Sequence, residues 1–293
     1  MSNLTDYQKG LLITALGVLI ISPDGLFVRL IAADSWTLSF WRGILIGIGM
    51  LAFLRFYYPG ETVEKFRTIG WMGLVVAIGT GISTFLFVYA LTNTSVASAL
   101  FIVNTSPAFT ALIAWLFLKE KVPARTWVAI AAVLGGILII AWGAEGGNSN
   151  IWGNLAALGI AIVLAINFSL IRKLKGQDMS PAIVIGGFLS SIIAWPLAEP
   201  FSLSAGQWGY LLVLGLLILP TAFALMYIGP RYIPAPEVSL MLLLEAILGP
   251  IWVWLVIGEN PGVATLIGGT IIVLALGANA AVPFFQGDTA TAT

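Results

Sequence analysis

Few residues in this chain could do chemistry, and they stand out because they interrupt long apolar stretches. Glu245 lies in LLLEAILGP, Asp24 follows Ser22-Pro23, and Arg42 lies in SFWRGILIG. A charged group at the centre of a membrane helix costs roughly 2.5–3.5 kcal/mol on insertion scales, so each of the three needs a ligand or a partner. Glu245 has no obvious basic residue at similar depth. It reads either as the group that holds a substrate ammonium or a proton, or as a neutral carboxyl in an interhelical hydrogen bond. Asp24 follows a proline that removes a backbone donor and frees a carbonyl on the preceding turn, a setting in which polar groups, Ser22 included, face a cavity. A helix-terminus role, or a pair with Arg29 or Arg42, explains Asp24 equally well. For Arg42, snorkelling or pairing with an acid is the stronger reading.

Hydroxyl, amide and aromatic groups form the second tier. Thr80, Ser83, Thr84 and Phe87 recur at spacings of three and four, so they share one helix face. That face suits close helix packing as well as a cavity wall. Ser98, Asn104, Asn167, Phe223, Tyr227 and Met241 are similar candidates for contact with a small molecule, and Pro23, Pro107 and Pro250 are candidate hinges or kinks. The chain has no Cys and no His. Disulfides, thiolate sites and the usual general base and metal ligand are therefore missing, and no metal, cofactor or enzymatic activity is expected. Arg42 is the one cation inside the apolar stretches, too few for a phosphorylated substrate. An acid with hydroxyls and much apolar surface fits an amine-bearing, partly apolar molecule.

The elements that carry these residues are membrane spans. Hydrophobic residues make up 59% of the 293 residues and charged residues 9%, against about 25% charged in soluble domains. Spans are predicted near 10–31, 36–57, 69–91, 96–118, 126–142, 151–171, 181–198, 208–228, 235–257 and 262–283, each near the roughly 20 residues that cross a bilayer core. With the N-terminus inside, eleven of the 13 Lys and Arg fall in inner loops, Arg29 alone falls outside, and Arg42 lies within a span. The positive-inside rule therefore predicts a multi-pass inner-membrane protein with both termini cytoplasmic. The first span lacks a small-residue cleavage site and reads as retained. The net charge is zero without a basic run, which argues against a nucleic-acid partner. The tail from 285 to 293 reads as disordered.

The chain also repeats. At an offset of 139, Trp115-Leu116 falls on Trp254-Leu255, Glu120 on Glu259 and Ser106 on Glu245; at an offset of 143, Arg29 falls on Arg172 and Asp24 on Asn167. Two five-span halves result, 1–145 and 146–284. Five is odd, so the halves enter the membrane from opposite sides. Inverted repeats are the recurring architecture of secondary transporters, with substrate held near the midplane between them.

The residues YALTNTSVASALFIVNTSPAFTALIAWLFLKEKV, and their counterpart ending in LEAILGPIWVWLVIGEN, resemble the paired EamA-type domains of the drug/metabolite transporter superfamily. Among its members the chain is most similar to the YddG-type bacterial amino-acid exporters. The resemblance implies an all-α fold of ten transmembrane helices, as two inverted five-helix repeats around a central cavity lined by the first, third, fourth, sixth, eighth and ninth spans. It implies export of neutral, apolar or aromatic amino acids by alternating access, with proton coupling and oligomeric state left open. A multidrug exporter of lipophilic cations and a non-transporting scaffold are the alternatives. Members of the family usually carry a Glu-Pro pair in the ninth span. Here Ala246 follows Glu245, and Pro250 is the proline left to kink that helix.

Overall fold

The computed structural model describes residues 6–118, 124–142, 150–174, 177–228 and 235–285. All regular structure among them is helical. The first predicted span is two helices, α1 (Asp6–Ile21) and α2 (Asp24–Ile31), followed by α3 (Ser35–Tyr57), whose N-terminus Asp34 caps by accepting from the Trp36 and Thr37 amides. A short helix α4 (Thr62–Arg67), unforeseen from its polar sequence, precedes α5 (Gly70–Asn93). The fourth span is again double, α6 (Val96–Val103) and α7 (Ser106–Leu118), and α8 (Ala124–Trp142) ends the first half. The second half comprises α9 (Ile151–Lys173), α10 (Ser180–Ala194), α11 (Ala205–Leu212), α12 (Leu219–Ile228), α13 (Ala235–Ile257) and α14 (Val263–Phe285). Between α11 and α12 the helix widens into a π turn over Val213–Ile218. Pro220 follows one residue on, and a proline both lacks an N–H and crowds the carbonyl four residues back.

Among the described residues, seven helical segments are long and apolar enough to cross a membrane, and three further apolar stretches, Ala124–Ile140, Leu244–Ile257 and Val263–Ala278, are shorter. The chain is thus a multi-pass membrane protein. Its outward faces carry large apolar side chains, such as Leu12, Phe56, Leu138, Ile192 and Leu274, as contact with lipid tails requires.

Small residues set the central contacts. On α3 a side chain at Gly43 would collide with the Gly187 carbonyl and the Ser191 hydroxyl of α10. In return, a Cβ at Gly187 would lie 2.8 Å from the Gly43 carbonyl and 3.0 Å from the Gly47 amide. The contact is reciprocal and antiparallel, 43 with 191 and 47 with 187. A second contact has the same form: a Cβ at Gly136 of α8 would lie 2.7 Å from Ile272 of α14, and one at Gly268 would lie 2.7 Å from Ile140. Reciprocity of this kind is what a two-fold axis between two copies produces, here between two halves of one chain. Close backbone approach replaces hydrophobic burial as the source of helix association in lipid.

Candidate functional site

The site is built around the break in the first span. Pro23 has no N–H to continue α1, so α1 stops at Ile21 and α2 starts at Asp24. The Ser22 hydroxyl donates to the Leu19 carbonyl at 2.9 Å and accepts the Trp252 indole N–H of α13 at 3.0 Å. Asp24 falls in the first turn of α2, where the unpaired amides favour an anion. Its carboxylate takes the Arg42 guanidinium of α3 in a two-pronged pair, with Nη2 2.6 Å from Oδ2 and Nη1 bonded to Oδ1. Both side chains are almost fully buried, 3% and 2% exposed. The Arg42 guanidinium also stands 5.2 Å from the centre of the Phe87 ring of α5, within cation–π range.

Glu245 of α13 lies within electrostatic reach of both Asp24 and Arg42 and is partly exposed. Its apparent isolation in the sequence is therefore corrected: the fold gives it a cation nearby, one already neutralised by Asp24. The three groups leave one surplus acid when all are ionised. Asp24 pairs with Arg42 and not with Arg29. Arg29 instead reaches Glu259, which follows α13, with Nε 2.8 Å from Oε2, and donates to the Thr94 carbonyl at 2.7 Å. Glu259 also accepts the Val96 amide at 2.9 Å, at the N-terminus of α6.

The remaining candidates divide. Thr80 packs against Gly186 of α10, and its hydroxyl returns to the Val76 carbonyl. Thr84 donates to the Thr80 carbonyl, and Ser83 is buried. Of that face, Thr80 meets α10 and Phe87 meets Arg42 of α3. Ser98 is buried and bonded to Ser95 and to Thr265 of α14. Asn104 ends α6 and donates back to the Leu100 carbonyl. Asn167 of α9 lies against Gly79 of α5 and donates to the Val76 carbonyl at 3.3 Å. Phe223 is partly exposed on α12. Tyr227 and Met241 fall on α12 and α13, and their side chains lie outside the described residues. Of the prolines, Pro23 marks a true break. Pro107 sits in the first turn of α7, where its missing N–H is no loss, and the break lies before it at Asn104-Thr105. The helix α13 continues through Pro250.

Sequence reasoning missed Trp252 as the partner of Ser22, 230 residues away. An indole beside Pro250, one turn from a helix interior, was the available signal. It also missed the Arg29–Glu259 pair, for which the match of Glu120 to Glu259 was the signal. Val96, Ala97, Pro250, Val253 and Pro261 gather around Glu259 at this junction of α6 and α13.

Comparison with known proteins agrees with this architecture. The model of the EamA-like transporter family matches twice, over residues 8–142 and 151–279. An uncharacterized transporter of Bacillus subtilis, YdfC, is 30% identical over 276 residues, covering 84% of this chain and 89% of its own. The S-adenosylmethionine uptake transporter of Rickettsia felis is 25% identical over 251 residues, 82% of this chain and 80% of its own. The pseudopaline exporter CntI of Pseudomonas aeruginosa is 27% identical over 197 residues, 64% of this chain and 67% of its own. A solved protein structure superposes with a TM-score of 0.68 at 18% identity, covering 97% of this chain and 98% of that one, which shows a shared fold. Two family matches on one helical membrane chain identify a transporter and not an enzyme: the chain belongs to the EamA-like transporter family.

Proposed function

We propose that the protein is a secondary transporter that exports neutral, apolar or aromatic amino acids and related metabolites across the inner membrane. It works by alternating access between two inverted five-helix halves, 1–145 and 146–284, with ten spans, a central cavity and both termini in the cytoplasm. The observation that carries this reading is the charge arrangement at the α1–α2 break. Arg42 and Asp24 pair with each other, and Glu245, within electrostatic reach of both, is the acid left over. Such a group attracts the ammonium of an amino acid or takes up a proton, which gives a route to proton antiport. Phe87, over the Arg42 guanidinium, supplies apolar surface at the cluster. Support for the substrate class comes from a relative named for S-adenosylmethionine, itself a conjugate of an α-amino acid, and from the resemblance to YddG-type exporters. Direction rests on that resemblance and on the relative named as an exporter; a passive carrier follows whichever gradient exists.

Counterflow of labelled neutral amino acids in proteoliposomes, with and without a pH gradient, tests transport, substrate and coupling together. Saturable exchange of leucine or phenylalanine is expected. Movement of lipophilic cations without any amino-acid exchange would put a multidrug exporter in its place, since a lone acid among aromatic rings suits such cations too. No flux of either kind would leave a membrane scaffold.

A further inference from the structure

Arg29 and Glu259 come from opposite halves of the chain, and their meeting is carefully prepared. Gly258 ends α13 in the left-handed region, φ +77, and its amide bonds the Trp254 carbonyl. This conformation suits glycine and turns the chain sharply, placing Glu259 over the N-terminus of α6. There Oε1 accepts from the Val96 amide and from Arg29 Nη2, and Oε2 meets Arg29 Nε. Arg29 stands in the last turn of α2, where a cation is favoured, and closes the arrangement on the Thr94 carbonyl. Around this cluster α6 and α13 meet, Val96 and Ala97 on one side and Pro250 and Val253 on the other. These are the two helices that the repeat in sequence relates to each other. Arg29 and Glu259 lie at the end of the molecule remote from the N-terminus, the outer end by the charge rule. Under the two offsets that relate the halves, the sequence carries Arg172 and Glu120 at the matching positions, so the pair of residue types recurs in the repeat.

We infer that the Arg29–Glu259 pair is an outer latch. It holds the outer ends of α6 and α13 together, and it must release each time the transporter opens to the outside. The inference rests on the alternating-access reading above. Its geometry explains why an ion pair is used. A pair with 23% and 11% exposed side chains is weak enough to break within a cycle, because partial hydration screens it. The Val96 amide and the Thr94 carbonyl make it directional, so it closes in one register.

The chain lacks cysteine, which makes the latch testable in the full-length protein. Ala97 lies at this junction and is buried, 3% exposed. In Ala97→Cys, an impermeant maleimide applied to intact cells should label slowly. Adding Glu259→Gln, or independently Arg29→Gln, should raise labelling up to roughly fivefold at equal membrane levels, the range expected for loss of one partly exposed ion pair. Parallel labelling of inverted vesicles fixes the side. In a second arm, Arg29→Cys with Glu259→Cys is bridged by a short bifunctional thiosulfonate. Bridging should abolish leucine counterflow, and a reductant should restore it. Labelling of Ala97→Cys that ignores both Gln variants, or exchange that continues through the bridge, would overturn the latch. The labelling arm needs no substrate. A protein that exchanges no amino acid yet labels faster when the pair is broken would refute the proposed substrate and support the latch.

Discussion

At the scale of single residues, the buried Asp24–Arg42 pair and the acid beside it carry different loads. Two charges out of water cost more than their attraction returns unless both are well bonded. Breaking the pair is therefore worse than removing it. Asp24→Asn strands the Arg42 guanidinium and should lower stability by about 3–5 kcal/mol, while Asp24→Leu with Arg42→Met should recover most of that loss. Thermal unfolding in detergent gives the order; a double variant no better than the single would deny the coupling. Glu245 is different, because Asp24 and Arg42 are bonded to each other without it. Glu245→Gln keeps the shape and removes the charge, so the protein should reach the membrane at normal levels. Exchange should fall roughly tenfold or more, the worth of a charge-assisted hydrogen bond, or lose its response to a pH gradient. Wild-type exchange with an unchanged pH response would take Glu245 out of the mechanism. Of this site the acids and the arginine were visible in sequence, since charges in apolar stretches announce themselves. Their pairing was one of several equal alternatives. Asp24 is 18 residues from Arg42, on a neighbouring helix, and only the crossing of α2 and α3 decides which arginine it meets.

At the scale of elements, the molecule depends on helices that touch backbone to backbone. Gly187 of α10 has the Gly43 carbonyl where its Cβ would be, at 2.8 Å. Gly187→Leu should force α3 and α10 apart and cost about 1–3 kcal/mol or more, read as a lower unfolding temperature. Gly206→Ala is the matched control: nothing lies within 4 Å of its would-be Cβ, and a helical position gains from alanine. Equal effects from the two would show that close approach is unimportant. The breaks show what a sequence can tell about elements. Ser22-Pro23 is legible because proline removes a donor where α1 would continue. The second break was expected at Pro107, but proline is tolerated in a first helical turn, and the chain breaks earlier at Asn104-Thr105. Contacts such as Trp252 to Ser22 leave no mark on periodicity, since two residues far apart in sequence meet only through the packing of α1 on α13.

At the scale of the whole molecule, lipid on the outside and pseudo-symmetry within make one prediction each. Charge bias predicts that the connection after α8 faces out and the connection before α5 faces in. Asn148→Cys should react with an impermeant reagent applied to intact cells, and Arg67→Cys should not; the reverse pattern would invert the protein. The reciprocal glycine contacts predict that Gly43→Ala and Gly187→Ala lower the unfolding temperature by similar amounts, because each puts a methyl against the backbone of the opposite half. The fold class was legible because a lipid solvent imposes apolar stretches of fixed length, and the repeat because its Trp-Leu and Glu landmarks survive at constant offset. The Asp24–Arg42 pair finally bears on how the protein is made. The carboxylate and the guanidinium lie on successive spans, separated by one short turn at Ala32–Asp34. Either helix entering the bilayer alone carries a naked charge; entering as a hairpin, the two neutralise each other before they meet lipid. Biogenesis of the first two spans should therefore be concerted, with the ribosome-bound chain committing α2 to the membrane only once α3 has emerged.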